Sequence, residues 1–379
     1  MAELLKYIYN DSFFKTYADA LEEVLPSFDR RRFMEAFGTP HWASLELKQR
    51  MAYLTHITQK WLPTGLQHKV AAILELIRLL RARGIRNQNL EYIFLADIIT
   101  ESGIDDPETS FAAIEQITSF TSFEFAGRAF FVRYPVEMMQ QMLAWTHHPD
   151  PNVRRYASEG CRPRLPWGQQ LRHLVKDPSP IIPVLEQLKE DPSDYVLTSV
   201  ANNLNDISKD HPVLVKDLIR KWSGKSSRTD KMLKKAARTL LKNGDEETLG
   251  LFGHHRHAAY QVTGLTISKD KPAIGESLSF EFTLANTGDT TSAYRVEYGI
   301  WFMKSNGNQS RKIFKIAERT LAPGHKVYWN KTHRLADLTT RKHYAGPHQL
   351  SILVNGSEAA VSGFNLVMKR TDAFVPTNL

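Results

Sequence analysis

Two periods of hydrophobic spacing divide this chain. Over roughly its first two thirds, apolar positions recur every three or four residues, the spacing of one helix face. The clearest case is 68–83, where Val70, Ile73, Leu74, Ile77 and Leu80 form a stripe, Arg78, Arg81 and Arg83 fall off it, and Gly84 closes it. The pattern returns over 87–100 with Leu90, Ile93, Phe94 and Ile98. Asp106-Pro107 predicts a helix start ahead of Phe111, Ile114 and Ile117. An aromatic block over 119–133 follows and stops before Pro135, and 136–145 predicts one more short helix. Nearer the start, Leu21, Val24 and Leu25 mark one helix, and Phe33, Met34 and Phe37 another.

From about 145 the helices become a repeat. Asp150-Pro151 with Val153 and Ala157 recurs as Asp191-Pro192 with Val196, Val200 and Leu204, and more loosely as Leu233, Ala237 and Leu240. A spacing of ~40 residues is that of HEAT-like helix pairs. Such pairs bury their apolar faces only by stacking, so a solenoid with a groove is expected.

At Gly253-His-His-Arg-His257 the period changes to two. Alternating segments run over 260–267, 277–284, 294–302, 312–320, 325–331, 348–354 and 360–368. Turn signals separate them, among them Asn286-Thr-Gly288, Asn306-Gly307, Pro323-Gly324 and Asn355-Gly356. Seven short strands with regular turns predict an immunoglobulin-like sandwich without the cysteine pair of true immunoglobulin domains. The expected architecture is therefore multidomain: an all-α HEAT-like repeat solenoid over 1–253, then an all-β immunoglobulin-like sandwich over 254–379.

Composition narrows the partner. A length of 379 residues suits two domains, and 42% hydrophobic residues are ample for two cores. The net charge of +8 favours an acidic partner, nucleic acid ahead of an anionic membrane surface. Cys161 is the only cysteine, which excludes an internal disulfide and a thiolate zinc site. No signal peptide and no long uncharged apolar run is visible, so a cytosolic setting without membrane contact is expected. The histidines of 254–257 are expected in a flexible linker rather than on a metal. No HExxH, Walker A loop, dinucleotide glycine pattern or nucleophile elbow is present.

The least regular repeat helix is the one running into 150–168. Arg154, Arg155, Arg162, Arg164, Glu159 and Trp167 crowd together there, punctuated by Gly160, Pro163 and Pro166. A packing helix needs none of this mixture. Arg155 and Glu159 are i,i+4 neighbours, which alone would make an ordinary surface ion pair. Yet Glu159 falls at the helix end, where the dipole disfavours a carboxylate. Glu124 precedes it by one repeat and Asp206 lies on the repeat after. Equivalent positions of stacked repeats share one wall, so the three carboxylates are expected in one patch. Trp167, stiffened by the prolines, offers either a plug between helices or an aromatic face for a cation or sugar. A second basic run, Lys221, Lys225, Arg228, Lys231, Lys234, Lys235 and Arg238, adds a phosphate-gripping surface.

The motif Ser158-Glu-Gly-Cys-Arg-Pro-Arg-Leu-Pro-Trp-Gly168 inside such a solenoid resembles the AlkC branch of the bacterial DNA alkylation repair glycosylases, relatives of AlkD. The resemblance covers the helical part, and the immunoglobulin-like appendage fits AlkC members rather than AlkD. It implies excision of cationic N-alkylated bases, chiefly 3-methyladenine and 3-methylcytosine, from double-stranded DNA, without a cofactor and without flipping the base. It implies Glu159 as the principal carboxylate, Glu124 and Asp206 as supports, and Trp167 on the sugar. Arg154 or Arg155 would grip the flanking phosphate, with Arg162, Arg164 and Trp145 as weaker DNA contacts. Lys231, Lys234 and Lys235 would add to the DNA surface, and the chain would act as a cytoplasmic monomer at the bacterial nucleoid. In the sandwich, loops carrying Lys304, Arg311, Lys312, Arg341 and Lys342 are expected to touch DNA. The rival reading is a non-catalytic HEAT-repeat scaffold, bound to DNA or to proteins; a carboxylate–tryptophan cluster in a basic groove argues against it.

Overall fold

The computed structural model describes residues 5–338 and 341–368; residues 1–4 and 369–379, at the outer ends of the two expected domains, lie outside the described residues. The chain divides into two compact units between Ala236 and Ala237.

The first unit is helical. Prolines open several of its helices at the first turn, where a missing N–H costs nothing, as in Pro107–Thr118, Pro135–Trp145, Pro151–Gly160 and Pro212–Trp222. Side-chain caps fix where others begin: the Asn10 carbonyl accepts from Phe13 N at 3.1 Å and the Asp106 carboxylate from Thr109 N at 3.1 Å. The stripe expected over 68–83 is the helix Leu66–Ala82, with Ile73, Ile77 and Leu80 buried. Nearer the start of the unit, an aromatic cluster of Phe13, Phe14, Phe33, Phe37 and Trp42 joins three helices through edge-to-face contacts. The block at 119–133 is not one helix. It is a turn region through 127 followed by the short helix Arg128–Arg133. Gly127 explains part of this: a Cβ there would collide with the Tyr156 hydroxyl, so the turn lies directly on the helix Pro151–Gly160.

That helix, Asp194–Ile207 and Ser227–Ala236 pack in succession, and they are the three repeat copies legible in the sequence. Val153, Ala157, Val196, Val200, Leu204 and Leu233 are all fully buried at the contacts. Among the described residues no helix is long and apolar enough to cross a membrane.

The second unit is a two-sheet sandwich with two short helices, Arg238–Lys242 and Glu246–Leu251, joined to its start. Its strands are β1 Tyr260–Ile267, β2 Ser277–Asn286, β3 Ser292–Met303, β4 Gln309–Leu321, β5 Lys326–Arg334, β6 Gly346–Val354 and β7 Ser357–Leu366. One sheet runs β1-β2-β5 and the other β4-β3-β6-β7, all antiparallel. Leu278, Phe280, Phe282 and Leu284 of β2 share the core with Val296, Ile300 and Ile352 of the other sheet. The two-residue alternation therefore places all seven strands. The 254–257 tract is not a free linker at its start: His254 is buried beside Glu318, 3.6 Å away.

Candidate active site

The site grows from the end of the helix Pro151–Gly160. The Asp150 carboxylate caps its start, accepting from Asn152 N at 2.8 Å. The helix then presents Arg155, at its middle, and Glu159, in its last turn, on one face, four residues apart. Arg155 bridges two carboxylates. One guanidinium nitrogen lies 2.6 Å from Glu124 and the other 3.4 Å from Glu159. Arg162, just past the helix, continues the row, 2.6 Å from Glu159 and 2.8 Å from Asp206. Lys209 ends it, 2.9 Å from the second Asp206 oxygen. Charge therefore alternates along one path: Glu124, Arg155, Glu159, Arg162, Asp206, Lys209.

The carboxylates expected from neighbouring repeats do share one wall, but they are not equivalent. Asp206 is only 1% exposed and both its oxygens are occupied by Arg162 and Lys209. Asp206, expected as a supporting carboxylate, holds Arg162, and Arg162 holds Glu159. Glu159 is 5% exposed, and Ser199 Oγ donates to its second oxygen at 2.7 Å. Burial by itself would raise its pKa, but Arg155, Arg162 and the Ser199 bond outweigh burial and hold the carboxyl below the ordinary glutamate value. It is thus a fixed negative charge at neutral pH. Glu124 lies nearest the surface of the three, half-buried, and accepts from Ser122 Oγ at 2.9 Å. Tyr195, 41% exposed, covers Arg155 with its ring centroid 5.1 Å from the guanidinium.

Trp167 is 59% exposed and has φ +64°, a backbone region in which a bulky residue is rare. The reading of it as a plug between helices is thereby excluded. Something must hold the turn in that shape. Arg128 does so from beneath. Its buried guanidinium donates to the carbonyls of Gly160 at 2.8 Å, Arg162 at 2.6 Å and Gln169 at 2.8 Å, which lie on both sides of Trp167. Burial drives the Arg128 pKa down to about 10, still charged at neutral pH. Lys48 Nζ donates to the Trp167 carbonyl itself and lies 5.4 Å over the ring of Phe125, the neighbour of Glu124. Arg128, Lys48, Tyr195 and Ser199 were not singled out from the sequence. An arginine set between Gly127 and Phe130, in the middle of the aromatic block at 119–133, was the available signal for the first.

The expected DNA-facing arginines are mostly committed elsewhere. Arg154 makes a two-point pair with Asp191, at 2.7 and 3.2 Å, and also donates to the carbonyls of His148 and Pro149. It ties one repeat to the next, and of the two candidates only Arg155 borders the carboxylates. Arg162 is 5% exposed and enclosed in the ion row, which corrects its assignment as a phosphate contact. Arg164 forms a two-point pair with Asp210, at 2.6 and 2.7 Å. Trp145 is buried, its indole N–H donating to Glu115 at 2.7 Å, so its candidacy is also corrected. The lysine run is more open. Lys231 and Lys235 line a cleft of about 530 Å³ with Arg228, Asp194 and Thr198, between the helices Asp194–Ile207 and Ser227–Ala236, while Lys234 is half-buried beside them. Among the described residues no group of His, Cys, Asp and Glu side chains is arranged to hold a metal ion.

Three similarities bear on this geometry. A family profile described as "Uncharacterised protein YhaZ, C-terminal Ig-like domain" matches residues 261–368. The protein named "Uncharacterized protein YhaZ" of Bacillus subtilis (strain 168) is 39% identical over 352 residues, covering 93% of this chain and 96% of that protein. A solved structure, the alkylpurine DNA glycosylase AlkC of Pseudomonas fluorescens bound to DNA with an abasic-site analogue, superposes with a TM-score of 0.90. It is 33% identical, and the match spans 96% of this chain and 100% of that one.

Proposed function

Because the chain belongs to the AlkC branch of the DNA alkylation repair glycosylases, we propose that it hydrolyses the N-glycosidic bond of alkylated bases in double-stranded DNA. The favoured substrates are bases made cationic by N-alkylation, 3-methyladenine and 3-methylcytosine. The observation that carries this reading is the row of carboxylates and arginines whose outer member, Glu124, is joined through its neighbour Phe125 and Lys48 to the turn of an exposed tryptophan.

The chemistry suits those groups. A cationic base leaves without protonation, so no general acid is required. Positive charge then builds on the deoxyribose. Glu124 and Glu159 supply negative potential to that sugar, and a preorganised charge counts for more where water is excluded. Glu124, nearer the surface, orients the attacking water. Trp167 offers its ring face to the developing cation. Arg155 holds both glutamates in place and helps keep Glu159 ionised, and Arg128 keeps the Trp167 turn in its uncommon backbone conformation. A carboxylate wall that meets the sugar needs no deep base pocket, which supports cleavage of a lesion that stays in the helix. The lysine run, the sandwich segments carrying Lys304, Arg341 and Lys342, and Arg311 and Lys312, which lie on β4 rather than in a loop, grip the backbone. The protein acts without a cofactor, as a monomer at the bacterial nucleoid, and leaves an abasic site that opens base excision repair.

Incubating the purified chain with N-methylated duplex DNA and resolving the released bases tests this. Release of 3-methyladenine is expected; intact DNA, with a control glycosylase active on the same substrate, would reject it.

A further inference from the structure

Behind the Trp167 turn lies a cavity of about 240 Å³ that the scheme above does not use. Its walls come from the helices Leu47–Gln59 and Phe94–Gly103 and from two segments of the site: Phe125, next to Glu124, and Gly168, next to Trp167. Met51, Ala52, Ile93 and Phe125 are its apolar walls, and Asp97, Lys48 and Gln169 are its polar groups. The volume is below the ~300–1,000 Å³ typical of drug-sized ligands, and a single heterocycle is the scale that fits.

The polar groups are unevenly committed. Lys48 donates to the Trp167 carbonyl, and the Gln169 carbonyl is held by Arg128. Asp97 is different. Burial, followed by the nearby charge of Glu101, raises its pKa to about 6 against the pull of Lys48, and among the described residues no hydrogen bond offsets that rise. A half-buried carboxyl short of donors is costly, and a ligand bearing N–H groups would relieve that cost. A planar aminoheterocycle matches every wall. Its flat faces suit Phe125 and the aliphatic side chains, and its amino group can donate to Asp97. As the acid, Asp97 can also donate to a ring nitrogen, giving a two-point pair.

We propose that this cavity is a binding site for the free, excised aminopurine base, with Asp97 pairing to its amino edge and Phe125 against its face. The proposal rests on the glycosylase reading, because the cavity borders the segments that carry Glu124 and Trp167. It gives the released base a place behind the sugar-facing wall, so product release becomes a step of its own.

Calorimetric titration of the full chain with 3-methyladenine tests it, with adenine as a second base and 2-deoxyribose as the control sugar. Saturable binding of the bases and none of the sugar is expected. Asp97→Asn should weaken binding of 3-methyladenine at least tenfold and Phe125→Leu should weaken it as well, each with an unchanged unfolding temperature. No saturable heat with the unaltered chain, or equal affinity in a folded Asp97→Asn variant, overturns the proposal. A duplex carrying 2-aminopurine covers the other source of a base. Brightening on binding that Asp97→Asn abolishes would mean that the cavity takes a base still joined to DNA, and would overturn the assignment to the released one. Single-turnover excision by the unaltered chain is measured separately. If it fails while the base binds, the glycosylase reading falls and takes with it the assignment to an excised base, leaving a base-binding cavity; if it succeeds and the base does not bind, only the cavity proposal falls.

Discussion

Each unit of this molecule holds a group of arginine and carboxylate side chains, and the two groups are built differently. In the sandwich, Arg295 and Glu297 are two residues apart on β3, so they share a face, 2.5 Å apart. Glu318, the partner of Arg295 across β4, completes the group at 3.0 Å. All of it follows from one strand pair. In the helical unit, Glu124, Arg155, Glu159, Arg162, Asp206 and Lys209 come from a turn, two repeat helices and the segments that follow them. The sandwich row lies within a sheet. The helical one runs out toward half-buried Glu124, exposed Tyr195 and the turn of Trp167. Buried ion pairs alone are therefore weak evidence of function, since replacing them with apolar groups is often neutral. What distinguishes the helical row is that it ends at a half-buried glutamate beside the exposed ring of Tyr195.

The sharpest way to break the comparison is to neutralise one glutamate in each row. Glu159→Gln is expected to lower single-turnover excision roughly 10²–10³-fold, the scale of one preorganised charge. Glu297→Gln is expected to cost stability on the order of 3–5 kcal/mol while the folded fraction excises at the unaltered rate. Equal loss of excision in both would show that the helical row only holds the fold. Next in size is Trp167→Ala. Its exposed ring should leave the unfolding temperature unchanged, with excision falling about tenfold, the scale of ~1–2 kcal/mol of cation–π attraction. A large stability loss instead would make Trp167 a packing residue.

A smaller effect is expected on the basic cleft. Lys231→Gln with Lys235→Gln should weaken binding to all DNA sequences alike. The slope of log affinity against log salt should become shallower by about 0.9 for each phosphate that is no longer neutralised. An unchanged slope would remove that cleft from the DNA surface. The smallest concerns pH. Glu159 titrates below the ordinary glutamate value of 4.5 when folded. The stability it contributes is therefore fully present above 4.5 and lost as pH falls through the lower folded value. Excision should show no acid limb from this group above that value, and unfolding curves of Glu159→Gln should converge on those of the unaltered chain only in more acidic solution. Convergence that begins near neutral pH would mean that the flanking arginines do not hold Glu159 ionised.

How far the sequence speaks differs between the units for the same physical reason. Strand positions have a period of two, and sheet partners follow from turns, so alternation alone located β1 to β7 and buried their inward residues. Helical spacing likewise located the repeat helices and set Val153, Val196 and Leu233 at their contacts. The repeat also placed Glu159 and Asp206 on neighbouring stacked helices, while Glu124 reaches the same wall from a turn, through Arg155. Periodicity says which face a residue is on and nothing about what is already bonded to it there. Only the tertiary structure decided that Asp206 is sealed behind Arg162, that Arg154 belongs to Asp191, and that Arg128 and Lys48 hold the turn of Trp167. Those bonds link residues far apart in the chain, and short-range hydrogen bonding selects among donors and acceptors by geometries that only the packed helices create.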